Sequence, residues 1–243
     1  LPAGGRPAGT LLGGRVTYQQ PPHGYRTGIE PVLLAASIQA RPGEHVVEAG
    51  AGAGAGLLSL AARVAGLTGI GLELDPVMAE AAQHNIAANG QTGLSVQIQD
   101  VIAWRPPRPF DHAFANPPWH ATEGTQPLDA GRRLAKFAAD DVLAGWTASL
   151  ARALRPRGTL SLIVPAALLA RGIAALGVAG CAEIAVFPLW PRADIEAKLV
   201  ILRGVRQGRG PCRMLPGLLL HDETGGFTPP ARRVLWDGEA LPF

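Results

Sequence analysis

From about Glu44 onward, short apolar runs alternate with stretches of helical period. Residues 45–49, 68–74, 94–99, 110–115 and 159–164 read as strands. Within 94–99 the apolar positions Leu94, Val96 and Ile98 fall on one face, two residues apart. The segments 55–65, 76–89, 139–154 and 166–178 read as helices. Pro76 stands at a first turn, and Asn89-Gly90 supplies a stop signal. Two late strands, 182–187 and 198–203, complete a set of seven and are expected to pair antiparallel at one sheet edge. The alternation predicts an α/β fold: a doubly wound, seven-stranded, mostly parallel sheet covered on both faces. In such sheets ligands sit beyond the carboxyl ends of the strands.

The flanks are less regular. A helix is expected at 29–40, closing an N-terminal extension, 1–40, that packs on the core. The main domain is expected at 41–203. Residues 204–243, rich in Gly, Pro and Arg, read as a tail wrapping that domain. Segment 121–136 lacks clear periodicity and reads as a loop over a site.

Composition narrows the class. The chain has 243 residues, 47% hydrophobic and 17% charged, enough to fill a sizeable core. Its formal net charge of +3 permits a polyanionic partner without requiring one. Among the 22 basic residues only Lys136 and Lys198 are lysine, a bias that composition alone explains. Cys181 and Cys212 are too few for a disulfide framework or a four-cysteine zinc site. The six histidines show no metal-binding spacing. No metal and a reducing, cytoplasmic setting are therefore expected. No run of 18 uncharged apolar residues suggests a membrane span, and the first nine residues lack the pattern of a secretory leader.

The chemistry concentrates after the strand 110–115. There Asn116-Pro117-Pro118-Trp119 ends the strand with two residues that lack backbone donors. The Asn side chain and a proline carbonyl are then fixed acceptors beside an aromatic face, an arrangement that suits a planar substrate bearing an NH2 group. Upstream lies Glu48-Ala49-Gly50-Ala51-Gly52-Ala53-Gly54, between the first strand and its helix. Glycine lets the backbone approach a ligand closely, and the helix N-terminus favours negative charge. The same run fits a dinucleotide fingerprint. Glu73 ends the second strand, where a carboxylate can accept both hydroxyls of an adenosine ribose. Asp100 ends the third, where it can accept from an adenine amino group or open a turn. Asp75 before Pro76 reads as a helix cap.

These motifs, in this order, resemble class I S-adenosylmethionine-dependent methyltransferases of the Asn-Pro-Pro-aromatic, amino-group type. A narrower resemblance is carried by Leu12-Gly13-Gly14-Arg15, by Gln20 through Leu34, by Leu189-Trp190-Pro191-Arg192 and by Leu218-x-Leu220-His221. It points to the tRNA1(Val) adenine-37 N6-methyltransferase-like family. The chain departs from that pattern at Glu30, where Asp is usual, at Ala53, and at Trp119, where Tyr or Phe is commoner.

The resemblance implies a Rossmann-like methyltransferase fold, S-adenosyl-L-methionine as cofactor and a nucleic acid, tRNA first, as partner. The Gly50, Gly52 and Gly54 loop would hold its methionyl part, Glu73 its ribose and Asp100 its adenine, with Glu48, Leu74, Val101 and Asn116 also in the cofactor site. Asn116 and Pro117 would grip the acceptor amine. Trp119 would stack on the base, with Pro118, Tyr25 and Arg26 lining the substrate side. Arg105, Arg108, Arg132, Arg133, Lys136 and Arg192 are candidates for a basic surface around the mouth, and Arg203, Arg206, Arg209 and Arg213 form a second run. DNA adenine, rRNA guanine N2 and a protein glutamine amide stay open as acceptors. The glycine run and Glu73 alone also allow a nicotinamide-dependent oxidoreductase or a non-catalytic nucleoside-binding module.

Overall fold

A computed structural model of the chain describes residues 9–21, 27–118 and 130–243, and for 130–141 the backbone alone. A short antiparallel hairpin, β1 (Gly9–Leu11) and β2 (Val16–Tyr18), precedes helix α1 (Glu30–Ser37). There follow β3 (His45–Ala49), α2 (Ala55–Arg63), β4 (Thr68–Glu73), α3 (Pro76–Ala88), β5 (Leu94–Ile98) and β6 (Phe110–Ala115). Then come α4 (Ala130–Ala153), β7 (Leu154–Pro165), α5 (Leu169–Val178), β8 (Cys181–Trp190) and β9 (Leu199–Arg206). The chain closes with β10 (Arg213–Met214), β11 (Leu218–Leu219) and α6 (Pro229–Leu235).

The strands from β3 onward form one sheet in the order β10-β8-β9-β7-β6-β3-β4-β5, with β11 also paired to β8. Five strands, β3 to β7, run parallel to their neighbours, and β9 lies antiparallel between β7 and β8. The doubly wound, mostly parallel sheet is as the alternation predicts. The sheet has nine strands rather than seven, because β10 and β11 extend it beyond β8. The antiparallel pair is thus not the outermost edge.

Two apolar layers cover the sheet. Val46, Phe114, Ile163, Phe187 and Ile201 pack with α1, α2, α3 and α6 on one face. Val47, Leu72, Phe110, Leu160 and Leu202 pack with α4 and α5 on the other. Burial on both faces is why these strands read as continuous apolar runs. Each fully buried Leu or Phe contributes roughly 1.5–3 kcal/mol. Asp75 caps α3 as expected, its Oδ1 accepting from the Val77 amide at 2.8 Å.

Two expectations are corrected. Helix α4 begins at Ala130, so the latter part of 121–136 is helical rather than loop. The strand expected at 159–164 spans Leu154–Pro165, and the two late strands are longer than the pattern indicates.

Candidate functional site

Register places the sequence motifs in one row. Ala49 of β3 pairs with Ala115 of β6 and with Leu72 of β4, and Leu72 pairs with Gln97 of β5. The next residue on each strand is Gly50, Asn116, Glu73 or Ile98. Four parallel strands therefore end side by side, at spacings of about 4.8 Å, in a row roughly 14 Å long. That length accommodates a nucleoside with a side arm.

The glycine loop is tied to this row by its backbone. The amides of Gly50 and Ala51 donate to the Leu72 carbonyl at 2.8 and 3.1 Å. Gly50, Gly52 and Gly54 all have positive φ, at 67°, 54° and 87°, which side chains rarely tolerate. At Gly50 the bar is also steric, since a Cβ there would lie 2.9 Å from the Trp146 ring. Glu73 joins the neighbouring loops: Oε2 accepts from the Gly52 amide at 2.8 Å, and Oε1 accepts from Leu74 and Asp75 at 2.8 and 3.0 Å.

Glu48 sits beneath the loop rather than on its open side. It is 4% exposed, and its Oε2 accepts from the Leu57 amide, in the first turn of α2, at 2.8 Å. Desolvation pushes its carboxyl up to about 8; the Leu57 hydrogen bond opposes the rise and the Glu73 charge adds to it. A Cβ on Gly56 would run into this carboxylate. Glu48 thus fixes the strand–loop–helix junction.

At the substrate end, Asn116 is half-buried, Pro117 buried and Pro118 exposed. Leu74 is 70% exposed beside Glu73. Asp100 is exposed, and its Oδ1 accepts from the Ile102 amide at 2.9 Å. The turn reading of Asp100 is therefore realised, and it holds the carboxylate in place at the strand edge. Val101 is buried, and its carbonyl accepts from the Ser149 hydroxyl at 2.6 Å. Trp119, Tyr25 and Arg26 lie outside the described residues, as do the side chains of Arg132, Arg133 and Lys136.

The expected basic mouth is only partly assembled. Arg192 follows β8 at the site edge, and Arg105 follows β5 but donates to the carbonyls of Ile102, Ala103 and Trp104. Arg108 approaches His45 Nδ1 at 3.2 Å, at the start of β3 and thus at the opposite sheet edge. Arg206 ends the antiparallel β9 at that same far edge, donating to the Ala179 carbonyl at 2.6 Å. Arg203 is half-buried over the Phe243 ring, 5.0 Å from its centre. Arg108 and the run from Arg203 therefore do not surround Asn116.

Asn85 goes unnoticed in the sequence, and Asn89 reads there only as a helix stop. Asn85 and Asn89, on one face of α3, hold the N-terminal segment. The Asn89 side chain accepts from the Thr17 amide at 2.9 Å and donates to its carbonyl at 2.7 Å. Asn85 bridges Gln19 and the glycine loop.

The residues present fit a cationic nucleoside cofactor. Gly50 and Gly52 are half-buried and carry no side chain to fill the space before them, the Glu73 carboxylate lies at the strand ends, and exposed Leu74 and Ile102 offer apolar contacts. Glu30 at the start of α1 carries a buried Oε2 with no hydrogen-bond partner among the described residues, an acceptor suited to an ammonium group. No helix among the described residues is long and apolar enough to cross a membrane.

Known proteins share this framework. The chain is 35% identical over 156 residues to a Shewanella baltica protein named tRNA1(Val) (adenine(37)-N6)-methyltransferase, spanning 63% of that relative's length and 61% of its own. A protein of the same name from Aeromonas hydrophila is 27% identical over 84% of this chain and 85% of the relative. Among solved structures, a predicted O-methyltransferase from Agrobacterium tumefaciens superposes with a TM-score of 0.72 at 22% identity, covering 87% of this chain and 97% of that one. TrmN from Thermus thermophilus gives 0.56 at 20% identity, covering 72% and 48%. At such identities the superpositions establish the fold. The methyltransferase small domain model matches residues 30–168, from the first residue of α1 to the turn after β7. This stretch is more than half of the sequence and holds the glycine loop, Glu73, Asp100 and Asn116, so the chain belongs to the methyltransferase small domain family.

Proposed function

We propose that the protein transfers a methyl group from S-adenosyl-L-methionine to an exocyclic amine, adenine N6 of a tRNA, in the cytoplasm. The observation that carries this reading is the placement of Asn116 and Pro117 directly beside the Gly50 loop, on adjacent parallel strands. The two sequence features that separately suggest an amine clamp and a nucleoside cradle thus belong to one site. The names of the Shewanella and Aeromonas relatives support the choice of tRNA adenine.

The cofactor supplies an electrophilic methyl group on sulfur. The protein supplies position. The adenine amine is a poor nucleophile because its lone pair is delocalised into the ring. The Asn116 side-chain carbonyl and the Pro117 backbone carbonyl accept its two N–H bonds. This favours a pyramidal nitrogen whose lone pair points along the row toward the loop. Orientation and fixed dipoles lower the barrier, and the amine proton leaves with or after transfer, so a strong general base is unnecessary. Glu73 would accept from the ribose, the Gly50–Gly54 backbone would hold the methionyl arm, and Glu48 supports that loop through the Leu57 amide. Asp100 and Val101 border the adenine, and Trp119 stacks on the extruded base.

The test is incubation with methyl-labelled S-adenosylmethionine, followed by separation of tRNA, rRNA, DNA and protein. Label in tRNA, recovered as N6-methyladenosine, is the expected result. Label confined to protein, or to a base other than adenine, sinks the reading.

A further inference from the structure

We infer that Trp190, at the C-terminal end of β8, is a stacking platform for an unpaired nucleotide that flanks the target base. The inference rests on the RNA reading above.

Strand β8 is antiparallel to β9, which is antiparallel to β7, so β8 points the same way as β6. Its end opens on the edge that carries Asn116. The register gives the separation. One step past the Ala115–Leu162 pair lies the row of Ile163, Ile201 and Phe187. Trp190 is three strands over and three residues further up, roughly 15–20 Å from Asn116. That is too far to touch the reacting amine and near enough to meet a neighbouring nucleotide.

The indole is presented rather than packed. Leu189 is 1% exposed and belongs to the core, whereas Trp190 is 36% exposed. Its Nε1 donates to the Pro216 carbonyl at 3.1 Å, which anchors one end of the ring. Leu219 is its register partner on β11, on the same face and equally exposed. With Ile195 they line an open groove of about 460 Å³, whose rim carries Arg192, Asp194 and Glu196. Trp190, Leu219 and Ile195 together form a short exposed apolar strip on the edge that carries Asn116.

The rim chemistry selects the occupant. A nucleotide offers a flat π-face for Trp190, an anion for Arg192, and donor N–H groups on its base edge for Asp194 and Glu196. An aromatic ring also tolerates any base, so this contact adds grip without choosing sequence.

The experiment compares wild type with Trp190→Ala, Trp190→Leu and Trp190→Phe on unmodified tRNA1(Val) transcript. The KM for RNA should rise roughly 5- to 150-fold in Trp190→Ala, the range for a lost base–aromatic stack. Trp190→Leu keeps apolar bulk without a ring and should behave like Ala; Trp190→Phe should recover most of the loss. Affinity for S-adenosylhomocysteine should hold in all three. If Trp190→Ala fails to fold, the Leu–Phe comparison decides. A wild-type KM in both ringless variants overturns the platform. So does an unchanged KM with altered sedimentation, which would mark a self-association surface. If the wild type labels no RNA at all, the RNA reading has failed, and that is read before any variant is made.

Discussion

The side-chain amide of Asn85 donates to the carbonyl of Ala53 at 2.9 Å, inside the glycine loop. The same Nδ2 donates to the Gln19 carbonyl at 2.8 Å, and Oδ1 accepts from the Gln19 amide at 2.9 Å. Asn85 is fully buried. Helix α3 therefore fastens the segment after β2 and the candidate cofactor loop with one side chain. Asn89, one turn on, repeats the grip on Thr17.

Asn85→Ala leaves three backbone groups unpaired, of which the Ala53 carbonyl is buried and the two of Gln19 are partly so. Stability should fall by about 2–3 kcal/mol, measured by urea unfolding. Because one of the three groups is in the glycine loop, affinity for S-adenosylhomocysteine should fall too. Asn89→Ala, whose partners are more exposed, should cost less and leave that affinity unchanged.

Glu48 predicts a pH dependence. Burial raises its carboxyl from an ordinary 4.5 to about 8 in the folded protein. Between these values the folded form holds a proton that the unfolded chain has released, so this group's contribution to stability is complete below pH 4.5. It is lost as the pH rises to about 8. Glu48→Gln keeps an acceptor for the Leu57 amide and cannot ionise. Urea unfolding at pH 5.5, 7 and 8.5 should show wild type weakening relative to Glu48→Gln, by roughly 1–4 kcal/mol across the window. Parallel curves would show that Glu48 ionises freely in the fold.

The motifs that form the site were legible because each has a local cause. Prolines at 117 and 118 stop β6, glycines at 50, 52 and 54 permit positive φ, and Glu73 ends an apolar run. Parallel strands buried on both faces spell themselves out as apolar runs, so β3 to β7 were readable as strands. Other features depend on the tertiary structure. The side chains Asn85 and Asn89 look like ordinary polar helix surface until the N-terminal segment lies against them. Strands β10 and β11 have two residues each, too few for any period. Arg108 and Arg206 look like their neighbours in sequence, but strand direction carries them to the edge opposite Asn116. Helix α4 starts at Ala130, ahead of the expected 139, and takes in Leu134 and Phe137 at helical spacing.

Glu73 tests the nucleoside site, and the ligand that wild type binds separates it from the nicotinamide alternative. Its two oxygens already accept three backbone amides, which leaves about one of the carboxylate's four acceptor sites at the strand ends. In Glu73→Gln an NH2 group must face an amide donor or a ribose hydroxyl. Binding of S-adenosylhomocysteine, measured by calorimetry, should weaken about 10- to 100-fold, as for loss of a hydrogen bond to a charged group. Wild type should give no heat with NAD. Binding of NAD with no binding of S-adenosylhomocysteine would reverse the assignment.

Asn116→Ala tests the chemistry itself. Asn116 is half-buried at the end of β6, next to Gly50 but outside the glycine loop, so the cradle for the cofactor survives its truncation. What is lost is the side-chain acceptor that turns the amine lone pair toward the methyl group. By analogy with removing one fixed dipole from a reacting site, kcat should drop roughly 10²- to 10³-fold. S-adenosylhomocysteine affinity should stay within about threefold of wild type, since each tenfold change needs about 1.4 kcal/mol of lost contact. Single-turnover transfer to unmodified tRNA reads the first quantity and calorimetry the second. Loss of both together would make Asn116 a structural support of the loop, and retention of both would remove it from the mechanism.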